Sequence, residues 1–157
     1  MVFLSRHLLL LIKNLEDMDK LKIYTSFITE NNIKKIVSLN YLPIFIVRSI
    51  GKIKYADKWK GTILHFKELS PESELYWEFR DGRIDYETYY KKFLIQISSL
   101  DLQDIVSKLE CLVDMCNASG IVLCGMGKDP KQSHRLMVSD ILWRVGKLTM
   151  KPEELEL

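Results

Sequence analysis

The amino-acid sequence predicts an α/β fold: one domain with a mostly parallel sheet of about four to five strands flanked by helices, a Rossmann-like three-layer sandwich. Three observations predict it. Short apolar runs at residues 22–28, 41–50, 61–67 and 121–124 alternate with segments whose apolar residues repeat at helical spacing. The chain has 157 residues, 47% hydrophobic and 28% charged, with 7 Gly and 4 Pro, which suits one globular domain and excludes disorder, collagen and a disulfide-stapled scaffold. No repeat, low-complexity stretch or Pro/Gly/Ser-rich linker divides it.

Taken in order, the apolar run 8–12 is followed at once by Lys13, Glu16, Asp17 and Asp19. It is too short for a secretory core or a membrane span, which need about seven to fifteen and about twenty apolar residues. Met18 opens a segment just before the first strand, so residues 1–17 read as a variable helical extension and 18–157 as the domain. Residues 22–28 form that strand, and Thr29 caps a helix over 31–39. Residues 41–50 are almost continuously apolar up to Arg48, as in a strand buried on both faces. Residues 61–67 give a third strand. Ser70 and Pro71 supply a cap and a first-turn proline for a helix through Phe79, ended by Asp81 and Gly82. Tyr86, Tyr89, Tyr90, Phe93, Leu94 and Ile97 then share one helical face opposite Lys91, Lys92 and Gln96, which assigns the aromatics to the core. Asp101 caps a second such helix with Leu102, Ile105, Val106, Leu109, Leu112, Val113 and Cys116 in register, and Cys111 and Cys116 are expected as small core side chains. Gly120 ends this helix, and residues 121–124 form a compact strand. Asp129, Pro130 and Gln132 combine an N-cap, an N1 proline and an N3 glutamine, predicting a helix over 130–145.

In open α/β sheets ligands bind beyond the carboxyl ends of the strands, where helix N-termini present unpaired N–H groups. Cys124-Gly125-Met126-Gly127-Lys128-Asp129-Pro130 is such a strand-loop-helix crossing. Its glycines would let backbone approach a ligand, and Lys128 would supply charge. The third glycine of the dinucleotide fingerprint and the Walker A spacing are missing, so a tight turn with no ligand is an equal reading. Ser133, His134 and Arg135 follow. His134 shares a face with Val138, Ile141 and Val145, as a half-buried core histidine would, yet it could also donate or shuttle a proton, and Arg135 could hold a carboxylate or phosphate bidentately.

Residues 22–145, from Lys-Ile-Tyr-Thr through Leu-Ser-Pro-Glu-Ser-Glu-Leu and Asp-Tyr-Glu-Thr-Tyr-Tyr to Ile-Val-Leu-Cys-Gly-Met-Gly-Lys-Asp-Pro-Lys-Gln-Ser-His-Arg, resemble domain-of-unknown-function family 488, which includes the bacterial YeaO-like proteins. The resemblance implies that Arg48 matches the arginine of an Asp-x-Arg motif, Cys124 a strand-end cysteine, and His134 and Arg135 the His-Arg pair of the last helix. Ile46 stands where the family has aspartate and Ser133 where it has cysteine, which removes a general base or metal ligand and a thiol nucleophile. What survives, Arg48, Lys128, Ser133, His134 and Arg135, favours holding an anion over acid/base work. No established reaction comes with the family.

The net charge of +2 conceals segregation. Residues 34–67 carry eight basic residues against Asp57 alone, and residues 68–110 carry ten acidic against five basic. The basic segment, with Tyr41, Tyr55, Trp59 and Phe66, could track a nucleic-acid backbone and stack bases. It could equally be a solvated loop, or meet the acidic helices of the same or another copy, so a homodimer is compatible with it.

Three expectations follow, in this order. The first is a domain that binds a small phosphate- or carboxylate-bearing anion through Arg48, Cys124, Lys128, Ser133, His134 and Arg135. The second is an enzyme using His134 as acid/base or Cys124 as nucleophile. The third is a nucleic-acid-associated protein using residues 34–67. No cofactor is assigned, and the scattered His7, His65 and His134 give no metal site. Three cysteines without paired spacing indicate a reduced, cytoplasmic protein away from any membrane, and the richness in Lys, Ile and Glu a prokaryotic one.

Overall fold

Strand β1 (Ile23–Phe27) runs through the sheet beside the most buried strand, β4 (Gly120–Gly125), and pairs with it in parallel from Ile23↔Ile121 to Phe27↔Gly125. The computed structural model describes residues 5–9, 21–50 and 63–157. With β2 (Tyr41–Phe45), β3 (Leu64–His65) and β5 (Glu153–Glu154), these strands make one five-stranded sheet of order β3-β2-β4-β1-β5, parallel at every pairing.

The layers follow from the direction of each crossover. The chain leaves β1 through α1 (Glu30–Ser38), passes over β4 and enters β2, moving toward the β3 edge. The connection from β3 through α2 (Ser73–Arg80), α3 (Tyr86–Ser98) and α4 (Leu102–Met115) back to β4 moves the other way, as does α5 (His134–Gly146) between β4 and β5. Right-handed crossovers in opposite directions put their helices on opposite faces. Accordingly α1 packs Ile33 and Ile36 against Phe45, Val47, Val122 and Cys124. The other helices cover Ile23, Ile44, Ile46, Ile121 and Leu123 with Leu75, Phe93, Ile97, Leu109, Val138 and Leu142. Neighbouring residues of β4 thus serve different cores, as the period of two requires, and all six are buried. Each fully buried isoleucine contributes about 2 kcal/mol of burial free energy.

Pro43 lies inside β2, where a missing N–H would normally break the ladder. The Ile46 N–H donates to Cys124 O and the Phe45 carbonyl accepts from Phe66 N, so odd-numbered residues here direct their backbone groups to the β3 side. Strand β3 first pairs at Ile44, one residue later, so the absent Pro43 donor leaves no β3 pairing unmade.

Thr29 and Asp101 cap their helices as expected, and Asp85 is a further cap of the same kind. Thr29, Asp85 and Asp101 accept from the backbone N–H of Asn32, Thr88 and Asp104 at 3.0, 2.8 and 3.0 Å. The strands expected over 41–50 and 61–67 are confined among the described residues to Tyr41–Phe45 and Leu64–His65, and four further expectations need correction. The helix expected from Ser70-Pro71 starts at Ser73 instead, because residues 67–69 form a 3-10 turn to which Ser70 donates its hydroxyl, at the Lys67 carbonyl. Gly120 does not end α4. Asn117, in the left-handed region at φ 49°, does so, with the Ala118 N–H reaching Val113 O. Gly120 is needed further on, since a Cβ there would sit 2.7 Å from the Lys22 carbonyl of the neighbouring chain segment. Cys111 and Cys116 are exposed and outside the core. The helix expected over 130–145 is broken: residues 130–132 form a 3-10 turn, and Ser133, extended at φ −97° and ψ 138°, caps a separate α5.

Of the expected extension at 1–17, residues 6–9 are helical with Leu8 and Leu9 exposed, and the rest lies outside the described residues. So does the middle of the basic segment, 51–62. Among the described residues no helix is long and apolar enough to cross a membrane.

Candidate functional site at the carboxyl ends of the strands

Strands β2 and β4 lie side by side, and their chains leave in opposite directions, β2 toward β3 and β4 toward β5. This is the position where an open α/β sheet forms a crevice. The residues that follow β2, Ile46, Val47 and Arg48, are held from two sides. His134, at the start of α5, places Nε2 2.5 Å from the Ile46 carbonyl, and His65, in β3, places Nε2 2.5 Å from the Val47 carbonyl. A carbonyl oxygen can only accept, so Nε2 carries the proton in both rings.

His134 is half-buried, and its ring meets Phe93 edge-on at 5.9 Å. Burial lowers its pKa to about 4, the Arg135 charge acts in the same direction, and the Ile46 carbonyl opposes both. At neutral pH it is an uncharged donor whose Nε2 proton is already engaged. Cys124 faces α1 with no exposed surface, its thiol donates to Val122 O at 3.4 Å, and burial pushes its pKa well above the usual thiol range. A sulfur so placed does not form the thiolate that a nucleophile requires.

Arg135 is the largest departure from expectation. Its side chain has no exposed surface, and its guanidinium makes four hydrogen bonds inside the chain. Nε and Nη2 hold the Glu154 carboxylate bidentately at 3.2 and 2.9 Å, Nη1 donates to the Gly127 carbonyl, and Nη2 also reaches Lys128 O at 3.3 Å. Thr25 donates its hydroxyl to the same carboxylate at 2.5 Å. The break at Ser133 explains the geometry. The extended Ser133 starts α5 anew, and Arg135 reaches the loop carbonyls of Gly127 and Lys128 from its first turn. Ser133 is buried, and its Oγ accepts from the Arg135 N–H at 3.4 Å.

The loop glycines also face inward. A Cβ on Gly125 would meet Ser133 Oγ at 3.4 Å and His134 Cε1 at 3.5 Å, and one on Gly127 would meet Ser133 Cβ at 3.5 Å. On that side each glycine lies against the first turn of α5, while Gly127 is otherwise exposed. Lys128 is exposed, and Arg48 is half-buried with its Nε sealed from solvent and without a hydrogen-bond partner. Of the expected set, then, Ser133, His134 and Arg135 pack together at the strand ends, Cys124 lies in the sheet on the α1 side, and Arg48 and Lys128 have no ion-pair partner among the described residues. His65 belongs to the same constellation and was not expected. Its signal was the strand position alone, because the register Phe45↔His65 that brings it to the end of β2 is a long-range fact.

Elsewhere, Tyr41 is half-buried and packs edge-on against Tyr24 at 5.2 Å, and the half-buried Phe66 packs against the main core. In the acidic stretch Lys92 pairs with Glu78, Lys91 with Glu87 and Lys108 with Asp104. A shallow groove of about 300 Å³ on α2 and α3 is lined by Glu72, Glu74, Glu78, Lys92 and Gln96, a charge balance opposed to anions. Among the described residues no group of three or more His, Cys, Asp or Glu could hold a metal ion. Comparison with protein-family models, curated proteins and solved structures found no match to this chain.

Proposed function

We propose that this chain is an α/β domain that binds a small phosphate- or carboxylate-bearing anion at the carboxyl ends of β2 and β4, with Arg48 as its main contact and Lys128 at the rim. The observation that carries the reading is the Arg48 Nε–H, buried and without an acceptor. An unsatisfied buried donor costs about 1–3 kcal/mol, and more on a charged group, which an arriving oxyanion would recover. Arg135, already occupied by Glu154, positions the loop and touches no ligand. The enzymatic alternative has less support, since Cys124 and His134 are the least available of its reagents. Three free cysteines support a reduced, cytoplasmic setting.

The test is thermal denaturation with inorganic phosphate, citrate and a nucleoside monophosphate on the wild type, Arg48→Ala and Arg48→Lys. An anion at about a hundred times its Kd adds about 2.7 kcal/mol, a rise of about 5–10 °C for a domain of this size. The expected result is a saturable rise in the wild type that Arg48→Ala loses and Arg48→Lys keeps only in part, since lysine lacks the planar fork. Equal responses from wild type and Arg48→Ala would remove Arg48 from the site.

A further inference from the structure

The two imidazoles at the end of β2 do more than fasten it. They grip successive carbonyls from opposite sides, His134 on Ile46 O from the β4 side and His65 on Val47 O from the β3 side. In a planar trans peptide the N–H points opposite to the C=O. Fixing Val47 O toward His65 therefore turns the Arg48 N–H the other way, to the β4 side. Arg48 then starts from a peptide plane with one orientation, and its backbone N–H and its unpartnered Nε–H both belong to the residue that leaves the clamp.

We infer that His65 and His134 are positioning residues, a two-histidine clamp that sets the Arg48 backbone N–H and guanidinium as a joint donor pair for an oxyanion. The inference rests on the anion-binding reading above and deepens it: the ligand is held by one backbone and one guanidinium donor of the same residue, one for each of two oxygens of a phosphate or carboxylate group. His65 is the better test residue. It lies on the two-residue strand β3 and is only partly buried, whereas His134 packs on Phe93.

Inorganic phosphate is titrated calorimetrically into the wild type, Arg48→Ala, His65→Leu and His65→Gln, at a temperature where circular dichroism shows each to be folded. Glutamine can donate its amide N–H where the imidazole Nε2–H was; leucine cannot. The clamp predicts at least tenfold weaker phosphate binding in His65→Leu and a return to within about threefold of wild type in His65→Gln. A purely structural role would lower the melting temperature of His65→Leu and leave its Kd unchanged, which overturns the inference. If wild type binds no phosphate, or Arg48→Ala binds it as well as wild type, the anion reading falls by itself. The clamp is then judged on the Arg48 amide and Nε–H resonances, which must shift in His65→Leu and return in His65→Gln; resonances unmoved by His65→Leu sink it.

Discussion

Cys124 lies on the α1-facing side of β4, where burial holds its thiol protonated, while Cys111 and Cys116 sit on and just after the last turn of α4 in contact with solvent. Thiol reagents attack the thiolate, so access and pKa act together on each sulfur. A disulfide-exchange reagent at neutral pH should titrate two thiols per chain in the native protein and the third only after denaturation. Cys111→Ser and Cys116→Ser should each lower the native count by one, while Cys124→Ser should leave it at two. Three fast equivalents in the native wild type would mean that the strand opens at β4. The helical period in residues 102–116 was legible, yet the fate of its cysteines was not. Val106 and Leu109 are buried, while Cys111 falls on the outer side and Cys116 is already the C-cap, beyond the last helical turn. A difference of one residue in where a helix stops or which flank it buries decides such cases, and period alone does not resolve it.

At the scale of elements, the start of α5 shows what local signals can and cannot carry. Asp129 and Pro130 do start a turn, with the Asp129 carboxylate accepting from the Lys131 N–H at 3.0 Å, but α5 starts anew after Ser133, and that start carries the contact of Arg135 with Glu154, 19 residues on. Thr29 and Asp101 were legible as caps because each partner lies three residues away, a spacing that Asp85 repeats. The contacts of His134 with Ile46, and of His65 with Val47, span 88 and 18 residues and depend on a strand order no short motif encodes. The joint between α5 and β2 also makes stability depend on pH. His134 titrates near 6.5 in the unfolded chain and at about 4 in the folded one, so between these values the unfolded chain binds the extra proton. The stability it contributes is complete above pH 6.5 and is lost progressively as pH falls toward 4, by about 3 kcal/mol in all. His134→Gln keeps a donor for Ile46 O and cannot titrate. Urea unfolding of the two proteins from pH 8 to 4 should give a constant difference above pH 6.5 and a relative loss in the wild type below it. Carboxylates common to both cancel in that difference. Parallel curves over the whole range would show that His134 is protonated as easily folded as unfolded.

For the whole molecule, the sheet has a central strand paired on both sides and two edges of only two residues each, and the β5 edge is fastened by side chains as much as by its ladder. Glu154 receives the Arg135 guanidinium and the Thr25 hydroxyl, so one carboxylate joins β5, β1, the start of α5 and, through Arg135, the Gly127–Lys128 loop. Exposure decides how much such a pair matters. Lys91 and Glu87 are 68% and 74% exposed, and breaking that pair should change stability by about 0.5 kcal/mol or less. Arg135 is 0% exposed, and Glu154→Gln would leave its charge buried with only neutral acceptors, at a cost of about 3 kcal/mol. Arg135→Met alone should be similarly damaging, because Glu154 loses its counter-charge and the Gly127 and Lys128 carbonyls lose their donors. Removing both charges in Arg135→Met/Glu154→Gln leaves no uncompensated ion, while the introduced amide oxygen can still accept from Thr25. The double variant should therefore be more stable than the sum of the single losses by at least about 1.5 kcal/mol, measured as a double-mutant cycle in urea. Simple additivity would show that Arg135 and Glu154 act independently, and the β5 edge would then owe its place to the ladder and the Thr25 hydroxyl rather than to the ion pair.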